Sequence, residues 1–214
     1  MSKDTYFYHF IEGEFKKGSD SVASFIYDFL MKTDLDVHEQ IVIFSDACGG
    51  QNRNYLIMKF LCLMAIQFKK TILQMFPVRG HSYNVCDRNF ANISKKVKKM
   101  QAIEVPKQYY DIITQLNYNQ IKANVFNWQK LFEENFQLNK CKTEISKYCK
   151  IEYLATGFIR TFKEYDGDFT EFKILNDIPF IWKENLKLDS RHFVSKEKIQ
   201  DTKDLLEFLK LENH

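Results

Sequence analysis

The densest group of chemistry-bearing residues in the chain is Ser45-Asp46-Ala47-Cys48-Gly49-Gly50-Gln51-Asn52-Arg53-Asn54. A carboxylate at the tip of an apolar run, beside two glycines and a polar helix start, suits a hard divalent cation held by oxygen. The glycines would let backbone or substrate come close. The plainer account is that Asp46 caps the following helix and the glycines make the turn. A second group, Arg79-Gly80-His81-Ser82 followed by Cys86-Asp87-Arg88-Asn89, supplies another carboxylate. If adjacent strands bring Asp87 beside Asp46, two acids face one space, the minimum for a metal that holds a phosphate and activates water. Taken singly, Asp87 reads as an N-cap and His81 as an ordinary loop histidine. Cys48, His81 and Cys86 are conceivable zinc ligands, but their spacing fits no common zinc module. Finally, SKKVKKM places Lys95, Lys96, Lys98 and Lys99 within one or two helical turns. With Arg79 and Arg88 they form the candidate contacts to a nucleic-acid backbone. A solvated helix face explains the same run.

The elements that must position these residues follow from periodicity. Thr5 to Ile11 is short and aromatic, as in a strand. Gly18-Ser19-Asp20 opens a helix with Val22, Phe25, Ile26, Phe29 and Leu30 at helical spacing. Ile41 to Phe44 is a continuous apolar run, expected as a central strand buried on both faces. A buried helix runs from Asn52 or Asn54 to Phe68, and its apolar stretch is too short for a membrane span. Thr71 to Val78 reads as a strand and Asp87 to Met100 as a basic helix. This order implies a partly parallel sheet flanked by helices, with its working surface beyond the carboxyl ends of the strands. Further on, Pro106 to Leu116 and Phe126 to Phe136 read as helices, with Trp128, Leu131 and Phe132 in the core. Cys149 to Phe162 and Asp168 to Ile174 read as two strands joined around Tyr165-Asp166-Gly167. A last helix, capped by Ser195, carries Ile199, Thr202, Leu205, Leu206 and Leu209 on one face.

Composition narrows the class. Apolar residues make up 45% of the 214, with 20 Phe and 11 Tyr against 7 Gly and 3 Pro, which argues against disorder and against an all-β protein built on tight turns. The net charge of +3 permits nucleic-acid binding without arguing for it. Five cysteines with no C-x-x-C pair read as reduced thiols, hence an intracellular compartment, nuclear if DNA is bound. The opening MSKDTYFYHF lacks the order of a signal peptide.

The runs FSDACGGQNRN and FPVRGHSYNVCDRNFANI together resemble a domain of unknown function found in animal proteins derived from mobile DNA and identified as a ribonuclease-H-like transposase relic. Asp46, Cys48, Gly50, Gln51, Asn52 and Asn54 match its first motif; Gly80, His81, Asp87, Arg88 and Phe90 match its second. Glu12 ahead of Gly18-Ser19 and the closing SKEKIQDTKDLLEFL extend the likeness along most of the chain. The resemblance implies metal-dependent cleavage and joining of DNA phosphodiesters, with Mg²⁺ or Mn²⁺ held by Asp46 and Asp87. It also implies an α/β fold: an incomplete ribonuclease-H-like mixed sheet with flanking helices over residues 1–104, then an α+β extension over 105–214. TYFYHFI would correspond to the third strand of that fold, so the first two strands and their acid are expected to be absent. Asn89, Ala91 and Ser94 stand where relatives carry Asp, Gly and Glu. The expectation is therefore a nuclease-like domain without activity, or a non-catalytic module that binds nucleic acid or another protein.

Overall fold

The computed structural model describes residues 4–11, 13–77, 85–100, 102–103, 105–122, 124–135, 143–175, 182–189, 194 and 196–211. In chain order the elements are β1 (Tyr6–His9), α1 (Ser19–Lys32), β2 (Gln40–Phe44), α2 (Tyr55–Phe68), β3 (Thr71–Met75), α3 (Val85–Val97) and α4 (Pro106–Gln115). Then come β4 (Asn119–Lys122), α5 (Trp128–Asn135), β5 (Lys150–Tyr153), β6 (Phe158–Phe162), β7 (Phe169–Lys173) and α6 (Lys196–Leu211). Ser195 and Glu12 lie outside the described residues, as do Arg79, Gly80 and His81.

The fold is built around α2. Its sequence, YLIMKFLCLMAIQF, is apolar nearly all round, so it is stable as a helix only when enclosed. Asn54 caps its start by accepting the Ile57 N–H (3.1 Å), and Lys69 ends it in the left-handed region. Every residue from Met58 to Ala65 except Lys59 is buried, within one large core shared with α1, α5 and the sheet. Cys62 sits here with its thiol on the Gly157 carbonyl (3.5 Å), and burial pushes its pKa up to about 12. Cys62 should therefore resist iodoacetamide at mildly alkaline pH until the protein unfolds, whereas the exposed Cys48 and Cys86 react. Mass spectrometry of the labelled peptides checks this.

The main sheet has the order β2-β3-β5-β6-β7, with β2 and β3 parallel and the remaining pairs antiparallel. Strands from both halves of the chain share it, so the protein is mixed α/β with a main sheet built from both. Three expectations are corrected. First, β2 is not central: it is an edge strand, with Val42 43% and Phe44 59% exposed. Its apolar run is covered on one face only, where Ile41 and Ile43 join the core. Second, Cys149 to Phe162 is not one strand. Gly157 (φ 84°) turns the chain, its N–H bonding the Leu154 carbonyl (2.9 Å), and splits the segment into β5 and β6. The hairpin between β6 and β7 is present as expected. Third, β1 does not join the main sheet; it pairs in parallel with β4, a strand the periodicity had not marked.

That second, small sheet carries its own core. Phe7, Ile93, Ile112 and Ile113 pack together, joining β1, α3 and α4. In α1 the expected apolar stripe is only partly used, since Phe29 is exposed while Ser21, Ala23 and Ser24 are buried. Small residues are needed there because Trp128 packs across the helix, donating from Nε1 to the Ser24 hydroxyl (3.0 Å). Asp20 completes the joint by accepting the Trp128 and Gln129 amides (2.7 and 3.1 Å), although burial draws its carboxyl above the ordinary range. Among the described residues, no helix is long and apolar enough to cross a membrane.

Candidate functional site

The loop after β2 is a knot of hydrogen bonds. The Asp46 carboxylate accepts the Cys48 N–H (3.4 Å) and an Asn52 side-chain N–H. The Cys48 carbonyl in turn takes the amides of Gln51, Asn52 and Arg53 (3.2, 2.8 and 3.0 Å). The Asn52 carbonyl accepts from Gln74 on β3 (2.9 Å), and Gln74 is itself held by the buried Tyr153 hydroxyl on β5 (2.8 Å). Arg53 reaches the other way. Its guanidinium lies over the Phe76 ring (4.8 Å) and donates to the carbonyls of Ile145 (3.0 Å) and Tyr148. Asn54 donates to the Ser19 hydroxyl and the Gly49 carbonyl (both 2.8 Å), and Ser19 donates to the Gly50 carbonyl (3.2 Å).

Three polar residues of the motif thus tie this loop to its neighbours: α1 through Asn54, β3 through Asn52, and the segment before β5 through Arg53. Gly50 has open space where a Cβ would stand, so packing does not demand glycine at that position. Replacing the cap, Asn54→Ala, is expected to lower stability by about 1–2 kcal/mol. A shift in the urea midpoint at constant m-value measures it.

Asp87 lies on a different element. It is an exposed residue in the first turn of α3, where a negative charge suits the helix dipole. Through Ile93, α3 belongs to the small core with α4 and β1, whereas Asp46 closes the strand of the large one. Mg²⁺ asks for near-octahedral oxygen coordination. Asp46 accepts from Asn52 and Cys48 through Oδ1, and no group of three or more His, Cys, Asp or Glu able to hold a metal occurs among the described residues. Of the conceivable zinc ligands, Cys48 and Cys86 are exposed and His81 lies outside the described residues.

The cations are brought together. Arg88, Lys95, Lys96, Lys98 and Lys99 are all exposed. Helical bonding continues past the end of α3, with the Lys98 amide on the Ser94 carbonyl (3.0 Å) and Lys99 on Lys96 (3.1 Å). Seven and four residues apart, Arg88, Lys95 and Lys99 fall in one row on the side away from buried Ile93. Among the described residues none of the five is in an ion pair. Lys32, Lys107, Lys122, Lys130, Lys147 and Lys150, in contrast, each face a carboxylate. Lys95 and Lys96 also complement the negative end of the helix dipole, which alone would justify two of the five.

Asn89, expected as the remnant of a lost acid, has a structural role that motif comparison missed. Its amide donates to the Thr5 hydroxyl (2.9 Å) and accepts from the Tyr118 hydroxyl (3.1 Å), fastening α3 to the residues that lead into β1 and β4, at one end of that parallel pair. A carboxylate could take both protons but not give one.

A family model described as a domain of unknown function (DUF7869) matches residues 2–164. No curated protein and no solved structure matches the chain.

Proposed function

The chain belongs to the DUF7869 family of domains of unknown function, and from that premise we infer that it is a non-catalytic module that binds DNA through the outward face of α3. The observation that carries this reading is the group of exposed cations, Arg88, Lys95, Lys96, Lys98 and Lys99, without carboxylate partners among the described residues. Unpaired lysines on a rigid helix lower the electrostatic cost of approaching phosphates and gain from counterion release. The descent from a transposase with a ribonuclease-H-like fold belongs to the same reading, and a nuclear location would follow from it.

Fluorescence anisotropy of a labelled DNA duplex in EDTA tests the reading. Binding is expected in the micromolar range at about 50 mM salt, weakening steeply as salt rises. Absence of binding at low salt would overturn it. Metal-dependent cleavage at Asp46 and Asp87 with Mg²⁺ or Mn²⁺ is the second reading, favoured by the place of Asp46 at the carboxyl end of β2. Calorimetric Mn²⁺ binding lost in both Asp46→Ala and Asp87→Ala would promote it over the first.

A further inference from the structure

Among the described residues, β2 has a partner on one side only. The Ser45 N–H donates to the Met75 carbonyl on β3 (3.1 Å). Backbone groups alternate in direction along a strand, so those of Ile41 and Ile43 also face β3, and those of Gln40, Val42 and Phe44 point outward. The same three residues are exposed through their side chains. Val42 and Phe44 stand on the outer face of the sheet beside their register partners Leu73 and Met75, which are half-buried. Edge strands ordinarily carry a lysine, a proline or a bulge that blocks pairing. QIVIF carries none of these.

We propose that this edge is where a second copy of the chain docks, β2 against β2, antiparallel about Val42. The strand is uncharged, so it suits an uncharged apolar partner strand, and its own twin is one. Two-fold pairing sets Val42 against the partner's Val42 and Phe44 against the partner's Gln40. It satisfies the outward N–H and C=O groups of all three residues with about six hydrogen bonds. Charge selects the direction. Parallel pairing in register would set Asp46 beside its own twin, whereas antiparallel pairing carries it toward the partner's His38. The outer apolar residues of both copies then form one continuous surface. This inference does not rest on the nucleic-acid reading.

Sedimentation equilibrium of the full chain tests it, with a reversible dimer expected at about 100 μM. Val42→Pro removes only an outward N–H, which an edge strand tolerates, and should weaken the dimer at least tenfold. Val42→Thr keeps the N–H and the branched side chain and should dimerise as the wild type does. Circular dichroism reports whether Val42→Pro has folded; if it has not, Phe44→Lys, at a site already exposed, decides in its place. A monomer at all concentrations would overturn the proposal. So would a dimer indifferent to both Val42→Pro and Phe44→Lys, or amides of Gln40, Val42 and Phe44 already protected from exchange in the monomer.

Discussion

Reversing two charges on α3, in the variant Lys95→Glu/Lys99→Glu, is expected to weaken duplex binding on the order of a hundredfold at about 100 mM salt. Each phosphate neutralised contributes close to one unit of slope in log affinity against log salt, or roughly eightfold at that salt, so losing two contacts alone costs about sixtyfold. The new carboxylates add repulsion to that loss. Folding should be little affected, because both side chains are exposed and neither has an ion-pair partner among the described residues. The main structural penalty is at the helix terminus, about 0.3–1 kcal/mol for each charge placed against the dipole. Lys32→Glu on α1, where the lysine pairs with Asp28 (2.8 Å), is the control and should change affinity by less than about threefold. Anisotropy titrations of the three proteins side by side measure the effect. Equal losses in both variants would mean that net charge, not the α3 row, governs binding.

Trp128→Ala should cost stability more than any surface change, about 3–5 kcal/mol. Its indole is fully buried, edge-on to Phe60 (centroids 4.8 Å) and Tyr27 (5.3 Å), and it holds the Ser24 hydroxyl. The alanine would leave a cavity where α1, α2 and α5 meet. Ser24 would lose one of its three bonds and keep those to the Phe126 amide (2.9 Å) and the Asp20 carbonyl (2.6 Å). Against a total stability of about 5–15 kcal/mol, such a loss brings a domain close to unfolding at ambient temperature. Urea unfolding followed by circular dichroism gives the value, and a change below about 1 kcal/mol would contradict the packing described.

Those two regions differ in how far the sequence revealed them. The lysine run and the helix carrying it were legible because charge and period are local. So was α2, whose apolar run, interrupted only at Lys59 and Gln67, reads as a buried helix, although its start stood open between Asn52 and Asn54 until the Asn54 cap was seen. The role of Ser24 was not legible, since a serine on an apolar face looks like an interruption until the tryptophan that lies over it is known. Pairing across long separations was hidden as well. β1 finds β4 across more than a hundred residues, and nothing local to TYFYH distinguishes that partner from the main sheet.

The Asp46 loop shows a different limit. Its residue types allow both a metal centre and a turn, and the choice depends on distances that spacing does not encode. One carboxylate oxygen accepts from both Asn52 and Cys48, and Asn52 and Arg53 reach strands and loops that come from farther along the chain. A motif can therefore be dense in polar residues because several elements meet there. Conversely β2 looked central because its run is apolar throughout, yet the outward half of that run is exposed.

The most direct test of the account is where DNA touches the protein. Hydrogen exchange, or amide chemical shifts, recorded with and without duplex in EDTA would map it residue by residue. Changes are expected to centre on residues 85–100 and to spare the loop from Asp46 to Asn54. Changes confined to that loop, with α3 unaffected, would contradict it.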